Sequence, residues 1–203
     1  MGNLNIFSRS FLAGFIIAMA GTVFLSVANP IIGACLFSFG LLFMVLEKLQ
    51  LYTGRIGNLN LKTEWNLIPL MLIGNYLGTL VEAVLIRLTR IATPEMIERV
   101  TNISATKLDD NILSIFILSI FCGILMALAV RNASSGFVPT MIPVVVFILS
   151  GFEHSIANMF YFNLSMVWSW KALLYIVVMI IGNGIGAILL RKLTTISCGA
   201  KKK

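Results

Sequence analysis

His154 is the only histidine in the chain. It stands in a polar hexapeptide, Ser150-Gly151-Phe152-Glu153-His154-Ser155, between two apolar runs, 141–149 and 156–162. Neither run alone can cross a bilayer, which takes about 20 apolar residues. Together they are long enough only if the polar stretch lies inside the membrane. An ionisable group at that depth is expensive and is a functional candidate by default. Imidazole is also the side chain most easily tuned to exchange protons near neutral pH. A transport or proton-handling role is therefore expected for His154, with a structural hydrogen bond as the plain alternative. No metal site is expected there, because no second His and no Cys lies nearby in sequence. Glu153 is expected to support the break by accepting backbone N–H groups that a broken helix leaves unsatisfied. Direct contact with a substrate is the alternative.

A second polar interruption lies earlier in the chain. After the apolar run 31–46 come Glu47, Lys48 and Gln50, interleaved with Leu49, Leu51 and Tyr52, and then Thr53-Gly54. These polar residues arrive too early for a relaxed exit from the membrane. The Thr53 hydroxyl can donate to an anion oxygen and can also accept from His154. The plain reading is a turn at Thr53-Gly54. Lys107 precedes the apolar run 112–130. Alone it reads as a solvated loop lysine, but beside a pore mouth it would raise the local anion concentration.

The elements that must position these residues follow from composition. The 203 residues are 59% hydrophobic and 11% charged, whereas a soluble domain carries about a quarter charged residues. Six apolar segments are expected to cross the membrane: about 11–28, 31–46, 67–86, 112–130, 141–162 and 173–190. Spans 2 and 5 carry the interruptions. The first run is too long for a typical signal-peptide core and is read as a retained span. Residues 87–110 read as a long polar connection. Met1-Gly2 lacks the Ser or Thr at position 6 that a myristoylation signal needs. Cys35, Cys122 and Cys198 show no metal-ligand spacing, and no disulfide framework is expected.

The net charge of +7 sits at the ends of apolar runs and in the tail Lys201-Lys202-Lys203, not on one soluble face. This pattern fits anionic lipid headgroups and argues against nucleic acid. With both termini in the cytoplasm, Arg9, Arg55, Lys62, Arg131, Arg191, Lys192 and the tail lysines lie inside. Arg87, Arg90, Arg99, Lys107 and Lys171 then lie outside, accompanied by Glu95, Glu98, Asp109 and Asp110. The bias favours this orientation.

The chain also echoes itself. Gly74-Asn75-Tyr76-Leu77-Gly78 in span 3 matches Gly182-Asn183-Gly184-Ile185-Gly186 in span 6, and Ala13-Gly14 in span 1 matches Cys122-Gly123 in span 4. A single channel domain over 1–203 is expected, with repeat 1 at about 7–91, repeat 2 at about 108–192 and a basic cytoplasmic tail at 191–203. A second copy of three spans must insert upside down. In inverted repeats, corresponding interrupted helices mark the substrate path. The Gly-x-x-x-Gly spacings read as close helix contacts.

Gly151-Phe152-Glu153-His154-Ser155-Ile156-Ala157-Asn158-Met159-Phe160 resembles the fifth-span signature of the formate/nitrite transporter family. Leu51-Tyr52-Thr53-Gly54 resembles its second-span loop, with Tyr52 in place of the usual Phe. Gly14 to Gly21, Gly74-Asn75 and Gly182-Asn183 resemble its small-residue helix contacts, so the likeness covers nearly the whole chain. It implies an aquaporin-like subunit and a homo-pentamer with one pore per subunit in the cell (inner) membrane. It implies that His154, Thr53, Lys107 and Asn158 line the pore, with Lys107 at its mouth. Phe37 and Phe147 would form the outer constriction, Leu51 and Tyr52 the inner one, and Glu153 and Gly151 the structural support. Gly123 stands where the family often has Asn, which leaves the effect on one lining contact open. The chain is shorter than many members at its ends and loops, so a gating helix at the N-terminus is expected to be reduced.

The expected function is a passive or proton-linked channel or transporter for a small monovalent anion, with no cofactor. Formate, nitrite and hydrosulfide are the first candidates; acetate and lactate also fit. A membrane-embedded substrate-binding subunit of a vitamin transporter also suits six spans, but it would not need paired polar breaks. An intramembrane hydrolase using Ser150 or Ser155 with His154 is a further alternative. Sequence neighbours rarely have triad geometry, however, and no second base is evident. With no ATP site and no nucleophile constellation, an enzyme is not expected.

Overall fold

Long apolar runs with few charges leave the backbone to satisfy itself, and in lipid the helix is the way one segment does so. The chain's structure, a computed structural model, describes residues 2–200. The described residues form α1 (Asn3–Ser26), α2 (Pro30–Leu46), α3 (Tyr52–Arg55), α4 (Leu67–Arg87), α5 (Pro94–Asp109), α6 (Ile112–Arg131), α7 (Phe137–Leu149), α8 (Ser155–Ser165) and α9 (Trp170–Ala200). Four helical stretches are long and apolar enough to cross a membrane: Asn3–Ser26, Leu67–Arg87, Ile112–Ser135 and Trp170–Ile196. α2 and α7 are apolar but shorter. Lys201, Lys202 and Lys203 of the expected basic tail lie outside the described residues, as does the Cys198 side chain. Cys35 and Cys122 are free thiols.

Local signals start the helices where the chain turns. Asn29 caps α2, its side-chain oxygen accepting from the Ile31 and Ile32 N–H groups at 2.9 and 3.2 Å. Pro30 follows at the first helical position, where its missing N–H leaves nothing unsatisfied. α1 begins well before residue 11. The polar Asn3, Asn5, Ser8 and Arg9 hide its first two turns from a count of apolar residues.

The connection at 87–110 is not merely polar: most of it is α5. Thr93 caps this helix by accepting from Met96 N–H at 3.3 Å, with Pro94 behind it. Hydrogen bonds from its own backbone N–H and from Thr93 hold the exposed Glu95 carboxyl below its usual range. Met96, Val100 and Ser104 repeat at helical spacing and are buried, against α8 above all. Lys107 continues that stripe one turn on.

Two helix pairs form the frame. α1 packs along α4, and α6 packs along α9. A Cβ on Gly14 would lie 2.0 Å from the Asn75 carbonyl oxygen, and one on Gly123 would lie 2.2 Å from that of Asn183. Only glycine allows backbones this close. Gly123 is therefore a helix contact and not a pore-lining position. An Asn there would need the α6–α9 pair to separate.

Candidate functional site

Both non-helical breaks fall where an asparagine can hold them. α2 ends at Leu46, the chain turns through Lys48 at φ +52°, and α3 starts at Tyr52. Asn75 on α4 accepts from Tyr52 N–H at 2.9 Å and donates to the Ser10 and Gln50 carbonyls at 2.7 and 2.9 Å. α7 ends at Leu149, Gly151 adopts φ +69°, and α8 starts at Ser155. Asn183 on α9 accepts from Ser155 N–H at 2.9 Å and donates to the Ser119 and Glu153 carbonyls, both at 2.8 Å. Both asparagine side chains are fully buried. Arginines close the other ends: Arg87 donates to Leu164 O, and Arg191 to Gly57 O and Leu59 O.

These breaks bring Thr53 and His154 together. Thr53 Oγ1 lies 2.9 Å from His154 Nε2, and both residues are buried. His154 also caps α8, its Nδ1 accepting from Ala157 N–H at 3.0 Å. A nitrogen that accepts carries no hydrogen, so the hydrogen-bond pattern assigns the neutral ring's proton to Nε2. Nε2–H then donates to Thr53 Oγ1, leaving the threonine's own O–H free to point elsewhere. Both ring nitrogens are taken, so neither Ser150 nor Ser155 has the histidine contact that a hydrolase would need.

His154 borders one cavity, and Leu51 and Gly54, close to Thr53 in the chain, border another. One, of about 190 Å³, is lined by Lys107, Phe147, Gly151, His154, Asn158 and Tyr161 among others. The other, of about 280 Å³, is lined by Leu41, Met44, Lys48, Gln50, Leu51 and Arg55 among others, at the opposite end of α2. Phe37 and Phe147 meet edge to face with centroids 6.2 Å apart, and Phe147 stacks on His154 at 5.4 Å. Leu51 borders the second cavity. Tyr52 does not: its hydroxyl donates to Ile180 O at 2.9 Å and packs where Gly184 leaves room. Its polar tip needs an acceptor when buried and finds one on α9.

Phe147→Ala should open the Phe37–Phe147 pair and loosen size selection. In flux assays acetate and lactate should gain relative to formate by about tenfold, the scale of one to two methylene contacts in an apolar filter. Equal scaling of all anions would make Phe147 a packing residue.

Lys107 and Glu153 are placed differently from the sequence reading. Lys107 Nζ lies 3.0 and 2.9 Å from the two carboxylate oxygens of Glu153, with side chains 13% and 4% exposed. Asn158 donates to the same carboxylate at 2.6 Å and to Met179 Sδ at 3.1 Å. Glu153 thus receives a lysine and an amide, not the freed backbone N–H groups, because Asn183 has already taken Ser155 N–H. Lys107 reaches inward because α5 carries it on a buried stripe. It is a paired charge that lines the same cavity as His154.

Sequence reasoning passed over two further residues. Glu82 on α4 is 2% exposed, accepts from Thr22 Oγ1 at 2.8 Å, and leaves Oε2 without a partner. It lines neither cavity. Arg55 borders the second cavity. A charge inside an apolar run was the available signal for Glu82, and a cation two residues after Thr53 for Arg55. Among the described residues no His/Cys/Asp/Glu cluster has the makings of a metal site.

Comparisons with known proteins bear on this geometry. The chain is 29% identical over 154 residues to YrhG, an uncharacterized transporter of Bacillus subtilis strain 168, covering 65% of this chain and 56% of that protein. It is 27% identical over 159 residues to the formate channel FocA of Haemophilus influenzae, covering 68% and 55%. The chain thus spans about half the length of these curated relatives. Among solved structures it superposes on an FNT family ion channel with a TM-score of 0.83 at 19% identity, covering 96% of this chain and 90% of that one. It also superposes on a pentameric formate channel with formate bound, with a TM-score of 0.73 at 22% identity and 98% and 96% coverage. The sequence model of the formate/nitrite transporter family matches residues 1–196. Apolar helices around two buried breaks, an FNT channel fold and a family match over nearly every residue make this chain a multi-pass membrane protein that belongs to the formate/nitrite transporter family.

Proposed function

We propose that the protein is a channel, passive or proton-linked, for a small monovalent anion, with formate, nitrite and hydrosulfide as the first candidates. The observation that carries this reading is the buried Thr53–His154 pair, with His154 on one cavity and Leu51 and Gly54, close to Thr53 in the chain, on another. A bare anion leaving water for a dry constriction loses several kcal/mol or more. Hydrogen bonds offset that cost. The Thr53 O–H, freed by the bond it accepts from Nε2–H, is placed to donate to an anion oxygen.

Six crossings complete the proposal, with α2–α3 and α7–α8 each acting as one interrupted span. The Asn75 and Asn183 arrangements support an inverted pair of three-span repeats. Both termini face the cytoplasm of the cell membrane, so the Lys107 cavity is external and the Arg55 cavity internal. The family fold supports a homo-pentamer with a path through each subunit. Lys107 and Asn158 act here by holding Glu153, and Gly151 by permitting the turn ahead of it.

Proton passage through His154 requires the ring to release Ala157 N–H, because a doubly protonated imidazole has no acceptor left. The test is flux of formate, nitrite, hydrosulfide, acetate and lactate into proteoliposomes, run for wild type and His154→Asn. Asn caps helices well but does not titrate. The variant should be blocked, or should keep a residual flux that no longer responds between about pH 5 and 8, where imidazole changes charge. Wild-type flux with the wild-type pH profile would reduce His154 to a structural cap.

A further inference from the structure

The charges flanking the two cavities are unequal. On the external side Lys107 is neutralised by Glu153. On the internal side no Asp or Glu lines the cavity, while Lys48 and Arg55 both do. Arg55 is partly buried. Its Nε is buried without a hydrogen-bond partner, and its side chain makes no ion pair or hydrogen bond within the described residues. A buried guanidinium nitrogen without a partner, on a residue that lines an apolar-walled cavity, is costly to keep. Arg55 N–H bonds to Leu51 O at 2.9 Å, which sets the two residues one helical turn apart. Arg55 therefore sits one turn after Leu51, and both line the same cavity.

We infer that the internal cavity is an anion-binding site in which Arg55 receives a small planar monovalent oxyanion, a carboxylate or nitrite, next to the Leu51 constriction. The inference rests on the channel reading above and deepens it. A guanidinium presents parallel N–H donors that match two oxygens of one carboxylate, which a point charge does not. The cavity, at about 280 Å³, has room for such an anion and for water. Lys48 is exposed and supports the site through field alone. The site makes the path asymmetric: anions are held at the internal face, and the external face has no equivalent.

The experiment has two arms, each on the assembled protein with its oligomeric state checked by size exclusion. In planar bilayers, sodium formate is supplied to one face at a time and conductance is followed to saturation. Arg55→Gln should raise the half-saturating concentration about tenfold from the internal face, the effect of losing one charge-assisted bidentate contact. It should leave the external value within about twofold. Arg55→Lys should fall between, and Lys48→Gln should shift much less. In calorimetry, sodium formate or nitrite titrated into the solubilised protein should bind to wild type about tenfold more tightly than to Arg55→Gln, with chloride favoured least. Equal shifts from both faces, no shift at all, no formate binding by wild type, or chloride bound as well as formate would each overturn the Arg55 site. Binding that depends on Arg55 in a protein that conducts no anion would instead sink the channel reading and leave the site standing.

Discussion

Asn183→Ala is expected to cost the protein several kcal/mol, enough to lose most assembled material or to lower its thermal midpoint sharply. One side chain supplies three hydrogen bonds, to Ser155 N–H and to the Ser119 and Glu153 carbonyls, all inside the α6–α8–α9 junction. Alanine leaves the Ser155 N–H and the Glu153 carbonyl at the break buried without partners, each worth about 1–3 kcal/mol, while Ser119 O keeps its bond within α6. Lipid offers no water to replace them. Asn75→Ala should do comparable damage at the other break, where Tyr52 N–H and the Ser10 and Gln50 carbonyls depend on it. Ser119→Ala is the control. Its hydroxyl bonds only to Ile115 O within α6, while Asn183 uses its backbone carbonyl. The control should therefore shift stability by no more than about 1 kcal/mol. Thermal unfolding of the solubilised protein, followed by size exclusion, reads all three. Wild-type behaviour of Asn183→Ala would mean that the break is held by something other than this side chain.

What the sequence conveyed and what it concealed follow from the range of each interaction. The break at 150–155 was readable because Glu153 and His154 cannot sit in an apolar run by accident. The Gly-Asn pairs in α4 and α9 were also readable, but as packing. That their asparagines cap the distant breaks is a contact across about 30 residues, and no local pattern encodes it. α5 was passed over because its charges masked a buried stripe at 96, 100 and 104, although Thr93-Pro94-Glu95 is a regular helix start. The pairing of Lys107 was hidden for the same reason: once α5 is a helix, its last turn faces Glu153. The family resemblance places Tyr52 beside Leu51 at the inner constriction. Its hydroxyl, which a Phe lacks, instead takes the Ile180 carbonyl. Glu82 was visible as an acid in an apolar segment, yet its Thr22 partner lies on another helix.

Anion flux through Thr53→Val, compared with Thr53→Ser, tests the central claim most directly. Valine keeps the shape of threonine and removes the hydroxyl that stands 2.9 Å from His154 Nε2. It takes away the donor offered to the anion and also strands the imidazole N–H. A hydrogen bond to a charged group contributes about 1.5–3 kcal/mol, so formate flux into proteoliposomes should fall by roughly 10- to 100-fold. Serine restores the hydroxyl and should recover flux to within about threefold of wild type, since only a methyl is lost and the donor remains. Loss in the valine variant with recovery in the serine variant, at equal amounts of assembled protein, is the predicted result. Thr53→Val conducting formate at the wild-type rate would contradict the account, because the anion would then cross without using the buried hydroxyl paired with His154.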